Sequence, residues 1–336
     1  MNYNSPFIIA EIAQAHDGSL GILHSYIDAL SKCGVDAIKF QTHIAEAESS
    51  EYEKFRINFS YEDKTRYDYW QRMEFTKTQW LEIKSHCEDV GLEFMSSPFS
   101  NAAVDLLEKL HVKRYKVGSG EVNNLLILEK IAKTGKPLII SSGMSSFQEL
   151  DETINFLKPF KNPLSVLQCT TAYPNVSKDW GLNMIEELKN KYNFPIGFSD
   201  HSGDIHACLA ATALGAEILE FHVVFDKRQF GPDSSSSISI DQTKELVKGV
   251  REISISLNNP VNKSDNTRFL DLKNMFEKSL AVNKRLMKGE VISFDDLEAK
   301  KPANIGVPAS DYKNIIGKVL NNNKDKWDFI KKEDFK

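Results

Sequence analysis

Residues 195–233 read PIGFSDHSGDIHACLAATALGAEILEFHVVFDKRQFGPD, and the reading of this stretch decides the fold. Pro195–Phe198 is a short apolar strand that runs into Ser199-Asp200-His201. An Ala-rich apolar helix follows over about Asp204–Leu214, as expected of a helix packed on a sheet. Glu217–Phe225 is a second strand carrying Glu220 and His222, and Asp233 lies in the next loop. If the two strands are parallel neighbours, His201 and His222 come from equivalent ends of adjacent strands. Two neutral imidazoles with open positions between them suit Mn²⁺, Fe²⁺ or Zn²⁺. The plain alternative is a pair of strand-end histidines satisfied by hydrogen bonds.

Outward from this unit, the same alternation runs from Phe7 to about Asn259. The expected strands are Phe7–Ala13, Ala37–His43, Glu93–Phe99, Arg114–Gly120, Pro137–Gly143, Leu164–Thr170, Pro195–His201 and Glu217–Phe225. Helices are expected between them, near Leu20–Lys32, Thr78–Val90, Asn101–Leu110, Leu125–Thr134, Phe147–Leu157, Asn183–Tyr192 and Asp204–Leu214, with Asp241–Ser256 closing the series. Continuous apolar strands alternating with helices mean parallel strands. Eight such units in about 250 residues mean a (β/α)₈ TIM barrel, with an open doubly wound sheet as runner-up. No GxGxxG follows any strand, so a dinucleotide site has no support. Gly34, Gly91, Gly135 and Gly215 are placed to end helices, and Ser100-Asn101 and Ser145-Ser146 to cap them. The long interruption from His43 to Thr76 reads as a lid or substrate loop.

Past Asn259 the texture changes. We divide the chain into a barrel (1–259), a polar linker (260–277) and a small β-rich domain (278–336) in which short strand-like pieces are followed by a helical DYKNIIGKVL (311–320). The net charge of −5 has both signs interspersed, which argues against a nucleic-acid surface and a membrane-binding stripe. No apolar run is long enough to span a bilayer, and no signal peptide precedes the first strand. Cys33, Cys87, Cys169 and Cys208 are scattered without a CxxC. Reduced thiols in a cytoplasmic protein are therefore expected.

The polar residues fall in a positional pattern. Each strand starts apolar and ends polar: Glu11 with Gln14 and His16; Lys39, Gln41 and His43; Ser96-Ser97; Lys116, Ser119 and Glu121; Ser141-Ser142; Thr170-Thr171 with Tyr173; then His201 and His222. In a TIM barrel these ends converge on the face that carries the chemistry. Two lysines among hydroxyls and loop N–H groups would make a phosphate or phosphoenolpyruvate site. Glu11, Glu121 and Asp233 beside them could move protons or hold sugar hydroxyls. Each has a duller reading: a barrel lysine in a structural ion pair, a strand-end serine capping a helix.

Taken together, EIAQAHDGSLG (11–21), KFQTHI (39–44), SSPFS (96–100), YKVGSGEVNN (115–124), PLIISSGM (137–144), QCTTAYP (168–174), GFSDHSG (197–203), LEFHVVFDK (219–227) and GPD (231–233) strongly resemble the sialic acid synthase family. The stretch 279–302, SLAVNKRLMKGEVISFDDLEAKKP, and IIGKV (315–319) resemble its C-terminal antifreeze-like domain. The resemblance implies a (β/α)₈ barrel plus antifreeze-like domain, in a domain-swapped homodimer. It implies condensation of phosphoenolpyruvate with an N-acetylmannosamine-type sugar, giving a nonulosonic (sialic) acid and phosphate. It also implies a divalent metal, typically Mn²⁺, with Mg²⁺ or Co²⁺ as alternatives. His201 and His222 match the metal ligands. Lys39, Ser97, Lys116, Ser141 and Ser199 match the phosphoenolpyruvate set, and Glu11, Gln41, Tyr173 and Asp233 match residues near the metal, the sugar or the reacting centre. We take Glu11, Lys39, Lys116 and Asp233 as catalytic, with Glu11 handling the water. Ser119, Glu121, Thr171 and Lys301 join the substrate-binding set.

Three positions depart from the family's pattern: Phe221 where Arg is frequent, Thr171 where Asn is frequent, and Lys301-Pro302-Ala303 where bacterial members usually carry Arg-Pro-Gly. A legionaminate-type synthase acting on a 6-deoxy diacetamido sugar is the near alternative. A metal-dependent aldolase or isomerase on the same barrel, or a non-catalytic sugar-binding protein, is more remote.

Overall fold

A computed structural model describes residues 5–57 and 59–335. The chain divides into two compact units at Pro260/Val261. The first contains β1 (Phe7–Glu11), β2 (Ala37–Thr42), β3 (Glu93–Pro98), β4 (Tyr115–Val117), β5 (Leu138–Ser141), β6 (Leu164–Cys169), β7 (Ile196–Asp200) and β8 (Ile218–Val224). These strands form one parallel sheet in the order β3-β2-β1-β8-β7-β6-β5-β4. Because β1 bonds both β2 and β8, and β3 lies against β4, the sheet curls into a nearly closed barrel instead of an open doubly wound sheet. A short β9 (Ile238–Ser239) adds to β8. Most strands stop a residue or two before the expected ends, so His43, Phe99, Gly143 and His201 lie just past the ladder.

The helices are α1 (Leu20–Leu30), α2 (Ala45–Glu48), α3 (Arg66–Met73), α4 (Lys77–Asp89), α5 (Asn101–Lys109), α6 (Leu125–Ala132), α7 (Phe147–Leu157), α8 (Asn183–Lys191), α9 (His206–Ala213) and α10 (Ile240–Asn258). Ser100 caps α5, and Ser146 caps α7 with Glu149 completing a capping box. The four glycines expected to follow helices all have left-handed backbones. The 43–76 segment is more structured than a loop, since it holds α2 and α3. A capping box of Thr65 with Asp68 starts α3, and Tyr69, Trp70 and Met73 give it a buried face. Both signals were present in the sequence.

Period-2 alternation sorts the strand residues into two layers. Ile8, Ala10, Ile38, Phe40, Phe94, Leu138, Ile140, Val166, Phe198 and Phe221 face outward into the core beneath the helices. Ile9, Ala37, Met95, Ile139, Leu167 and Ile218 face inward and form a separate apolar plug inside the barrel. Two residues further along each strand, the inward positions become Glu11, Lys39, Ser97, Ser141, Cys169 and Glu220. The site is therefore a polar storey built on an apolar floor. Gly197 completes this floor on β7. A Cβ there would collide with the Ile218 carbonyl and with Leu167. We predict that Gly197→Ala lowers unfolding stability by about 1–3 kcal/mol through overpacking. A denaturant titration matching wild type would show that the floor can yield.

The second unit holds α11 (Leu270–Phe276) and an antiparallel pair, β10 (Ser279–Val282) with β11 (Leu297–Lys300). Its core includes Leu280, Val282, Leu286, Ile292, Val307, Ile315, Leu320 and Ile330. Two sequence expectations are corrected here. The stretch read as a linker contains α11, which the Ala303 N–H ties down by donating to the Asn274 carbonyl. The stretch DYKNIIGKVL is not an α-helix. A 3₁₀ turn ends at Asn314, Gly317 takes φ +86°, and Leu320 runs extended to bridge Phe335. The i, i+4 spacing of Ile315/Val319 and Ile316/Leu320 imitates a helix, and the left-handed glycine stops it. Among the described residues, no helix is long and apolar enough to cross a membrane. The four cysteines are buried and unpaired.

Candidate active site

Every site residue expected from the sequence except Lys301 lines one cavity of about 430 Å³ at the C-terminal ends of the barrel strands. Lys301 belongs to the second unit, where its ammonium lies 4.8 Å from the centre of the Phe276 ring.

The floor of the cavity is ionic. Lys39 and Lys116 are each only 2% exposed. Lys39 Nζ lies 2.6 Å from Glu11 Oε1 and 3.8 Å from Glu220 Oε2, and donates to Ser97 Oγ at 3.4 Å. Lys116 Nζ donates to Ser141 Oγ at 2.7 Å and lies 3.3 Å from Glu220 Oε1, which also accepts from Ser199 Oγ at 3.1 Å. Glu220 Oε2 is buried without a hydrogen bond. Two ammonium groups thus stand among three hydroxyls with two carboxylates between them. Burial alone would raise the Glu11 carboxyl, but Lys39 and His222 outweigh it and hold the group well below the usual carboxylate range. Burial alone would lower Lys39, but Glu11 and Glu220 outweigh it and raise the ammonium above its ordinary value. Both groups are therefore ionised at neutral pH.

The histidines stand beside this floor. His201 Nδ1 is 3.0 Å from the Thr170 carbonyl. A carbonyl only accepts, so Nδ1 carries the proton and Nε2 keeps its lone pair. The His201 and His222 ring centres are 5.3 Å apart, and His222 Nε2 lies 3.3 Å from Glu11 Oε2. Tyr173 packs 4.2 Å from the His201 ring. Gln41 donates to Glu11 Oε1 at 2.8 Å and itself accepts from Gln14. Ser119 Oγ accepts from the Gly143 N–H at 3.1 Å, and Thr171 Oγ1 lies so close that a Cβ at Gly143 would strike it. Glu121 accepts from Asn124 at 2.7 Å, and burial raises its carboxyl. Asp233 accepts from Arg56 at 2.9 Å.

The donor set fits a divalent cation. Among the described residues, no group of three or more His, Cys, Asp and Glu side chains makes a metal cage. His201 and His222 could offer such a cation two imidazole nitrogens, with water or substrate oxygens filling the remaining positions.

Several residues at the site escaped the sequence reading. Glu220 was legible, because a residue two before His222 on one strand must share its face. Arg56, Arg66 and Trp70 come from the 43–76 segment and line the mouth. Nothing in strand periodicity places them there. Phe221 points away into the outer core, so its departure from the family's usual Arg leaves the cavity lining unchanged.

A parallel barrel with lysines, hydroxyls and a histidine pair gathered at its strand C-termini has the architecture of a TIM-barrel enzyme. The particular kind follows from comparison: residues 26–262 match the NeuB family model and residues 277–336 the SAF domain, and the chain belongs to the NeuB family. It is 32% identical to the N,N′-diacetyllegionaminic acid synthase of Campylobacter jejuni, over 94% of this chain and 96% of that protein. It is 34% identical to the human N-acetylneuraminate-9-phosphate synthase, over 94% of this chain and 88% of that one. The crystal structure of an N-acetylneuraminic acid synthetase from Leptospira borgpetersenii, in complex with citrate, superposes with a TM-score of 0.71 at 30% identity. That match covers 81% of this chain and 91% of the other. The sequence-level resemblance to sialic acid synthases and the barrel-plus-antifreeze-like organisation both hold.

Proposed function

We propose that the protein condenses phosphoenolpyruvate with an N-acylated, mannosamine-type sugar to give a nonulosonic acid and phosphate. The observation that carries this reading is the floor: two buried lysines, each bonded to a serine hydroxyl, next to a histidine pair. In the reaction, C3 of phosphoenolpyruvate bonds to the sugar aldehyde carbon, water adds at C2, and the C2–O bond to phosphate breaks. A divalent cation held by His201 and His222, Mn²⁺ first and Mg²⁺ or Co²⁺ as alternatives, would polarise the aldehyde as a Lewis acid.

The chain's own groups divide the remaining work. Lys39 and Lys116, with Ser97, Ser141 and Ser199, hold the anionic groups and stabilise the charge that leaves with phosphate. Their positions are fixed before substrate arrives, since each ammonium is already hydrogen-bonded. Glu11 is too weak a base to remove a proton readily, so its part is to orient the water and to hold Lys39 and Gln41 in place. Glu121, whose carboxyl is raised by burial, takes up a proton more readily than Glu11 and is the better candidate for proton exchange. Tyr173 and Asp233, which line the same cavity, are assigned to the sugar. The same reading makes the protein a cytoplasmic, domain-swapped homodimer.

The test uses phosphoenolpyruvate labelled with ¹⁸O at the bridging oxygen. Phosphate should appear only when an acyl sugar is present, and it should carry the label. Unlabelled phosphate would mean P–O cleavage. Condensation without phosphate release would favour an aldolase.

A further inference from the structure

Resting on the reaction proposed above, we infer that His43 is a positioning residue. Anchored by Glu48, it fixes the amides of Gln14 and Gln41, and through them the carboxylate of Glu11. The row of groups runs from α2, on the inserted 43–76 segment, to the end of β1.

The hydrogen bonds of this row each have one direction. Gln41 Nε2 donates to Glu11 Oε1 at 2.8 Å, because an ionised carboxylate only accepts. Gln41 Oε1 must therefore point the other way, where it accepts from Gln14 Nε2. The same Gln14 nitrogen lies 3.1 Å from His43 Nε2. On the far side of the ring, His43 Nδ1 is 2.7 Å from Glu48 Oε1, and Glu48 Oε2 accepts from the Ile44 N–H at 3.3 Å. The carboxylate accepts, so Nδ1 carries the proton and Nε2 offers its lone pair to Gln14. Gln41 Oε1 is also 3.1 Å from His43 Nε2, so the Gln14 amide protons are what hold these two acceptors together. A flipped Gln14 would set its carbonyl oxygen against both. A flipped Gln41 would set its own against Glu11. The tautomer of one histidine thus decides how two amides lie.

The ring is held against turning. His43 is 5% exposed and stacks between Trp70 and Phe99, at 3.7 and 4.7 Å between ring centres. Trp70 belongs to α3, and its indole donates to Glu53 at 3.1 Å. Packing alone would ask only that both ring nitrogens be satisfied. Here the second partner leads on, through two amides, to the residue assigned to the water. Glu11 Oε1 receives both Gln41 and Lys39, at 2.8 and 2.6 Å, which leaves Oε2 turned to His222 at 3.3 Å. Lys39 is a donor on a flexible stem and can follow the carboxylate as it rotates. Gln41, held from behind, cannot, so the inserted segment sets the angle at which Glu11 meets the reacting centre.

The experiment is a double-mutant cycle read by phosphate release from the full-length protein. The assay holds Mn²⁺, phosphoenolpyruvate and whichever of N-acetylmannosamine and 2,4-diacetamido-2,4,6-trideoxymannose is turned over faster. His43→Phe keeps a flat ring between Trp70 and Phe99 and removes both nitrogens. Its kcat should fall about 10- to 50-fold, with KM for phosphoenolpyruvate within about threefold, since the lysines and serines of the floor are untouched. In a Gln41→Ala background the same substitution should cost less than about threefold, because a row already cut has nothing left to position. Gln14→Met cuts the row at its middle link without touching the stack, and should show the same loss and the same non-additivity. It carries the test if thermal unfolding shows that His43→Phe does not fold. Losses that multiply in full in the double variants, or single variants with kcat within about threefold of wild type, overturn the inference and leave the reaction intact. No phosphate release by the wild-type protein with either sugar overturns the reaction and the inference with it.

Discussion

Lys116→Met is expected to lower kcat/KM for phosphoenolpyruvate by about 100- to 1,000-fold with the barrel still folded. Methionine preserves the unbranched stem and fills nearly the same space, so the apolar plug below is undisturbed. What is lost is an ammonium 2% exposed and held by Ser141 at 2.7 Å, in a setting where water cannot substitute for it. The loss has two parts. The substrate's anionic group loses its attraction, and Glu220 loses its nearer cation, leaving only Lys39 at 3.8 Å. The uncompensated carboxylate then repels the incoming anion. Lys116→Arg should rescue little, because a planar fork cannot take the compact ammonium position between Ser141 and Glu220. Phosphate-release kinetics, with thermal unfolding as the fold control, decide the matter. A variant within threefold of wild type would remove Lys116 from the phosphate site.

The inner storey of the site was legible because a barrel strand obeys a strict alternation. Once Ile9, Ala37, Met95, Ile139, Leu167 and Ile218 are known to face inward, the residues two further along must share that face. Lys39, Gln41, Ser97, Ser141 and His222 follow without any tertiary knowledge, and so does Glu220, passed over although it lies in the same register. The pairing of charges is a different kind of fact. That Glu220 stands between two lysines depends on how far the barrel staggers, and that stagger comes from hydrogen-bond register, which no single strand encodes.

The mouth was hidden for a further reason. Arg56 reaches Asp233 across 177 positions of sequence, and Arg66 reaches the cavity only because α3 turns it inward. Residues on an inserted segment answer to long-range packing, so periodicity says nothing of their direction. The two C-terminal corrections have local causes. The apolar spacing of Ile315, Ile316, Val319 and Leu320 satisfies a helix template, and one left-handed glycine overrules it.

His222→Ala should abolish turnover to below about 1% of wild type and weaken Mn²⁺ binding by at least about 100-fold, since even outer partners of a metal ligand are worth 10- to 100-fold. The two readouts separate the alternatives left open by the sequence, a metal-binding pair or two histidines satisfied by hydrogen bonds. His201 has its Nδ1 committed to the Thr170 carbonyl, which is how a protein fixes the tautomer of a ligand, and its Nε2 is left to the cavity. His222 faces Glu11 at 3.3 Å, whose negative charge would favour a bound cation. The partners of His222 are the site residues Tyr173, His201 and Glu11, so its truncation is expected to act on the site more than on the apolar plug. Equilibrium dialysis of Mn²⁺ against the full-length protein, read beside phosphate release, gives the answer. Wild-type metal affinity with lost activity would make His222 a substrate contact. Wild-type values for both would make it structural. Loss of both with an unchanged melting temperature is the outcome expected of a ligand.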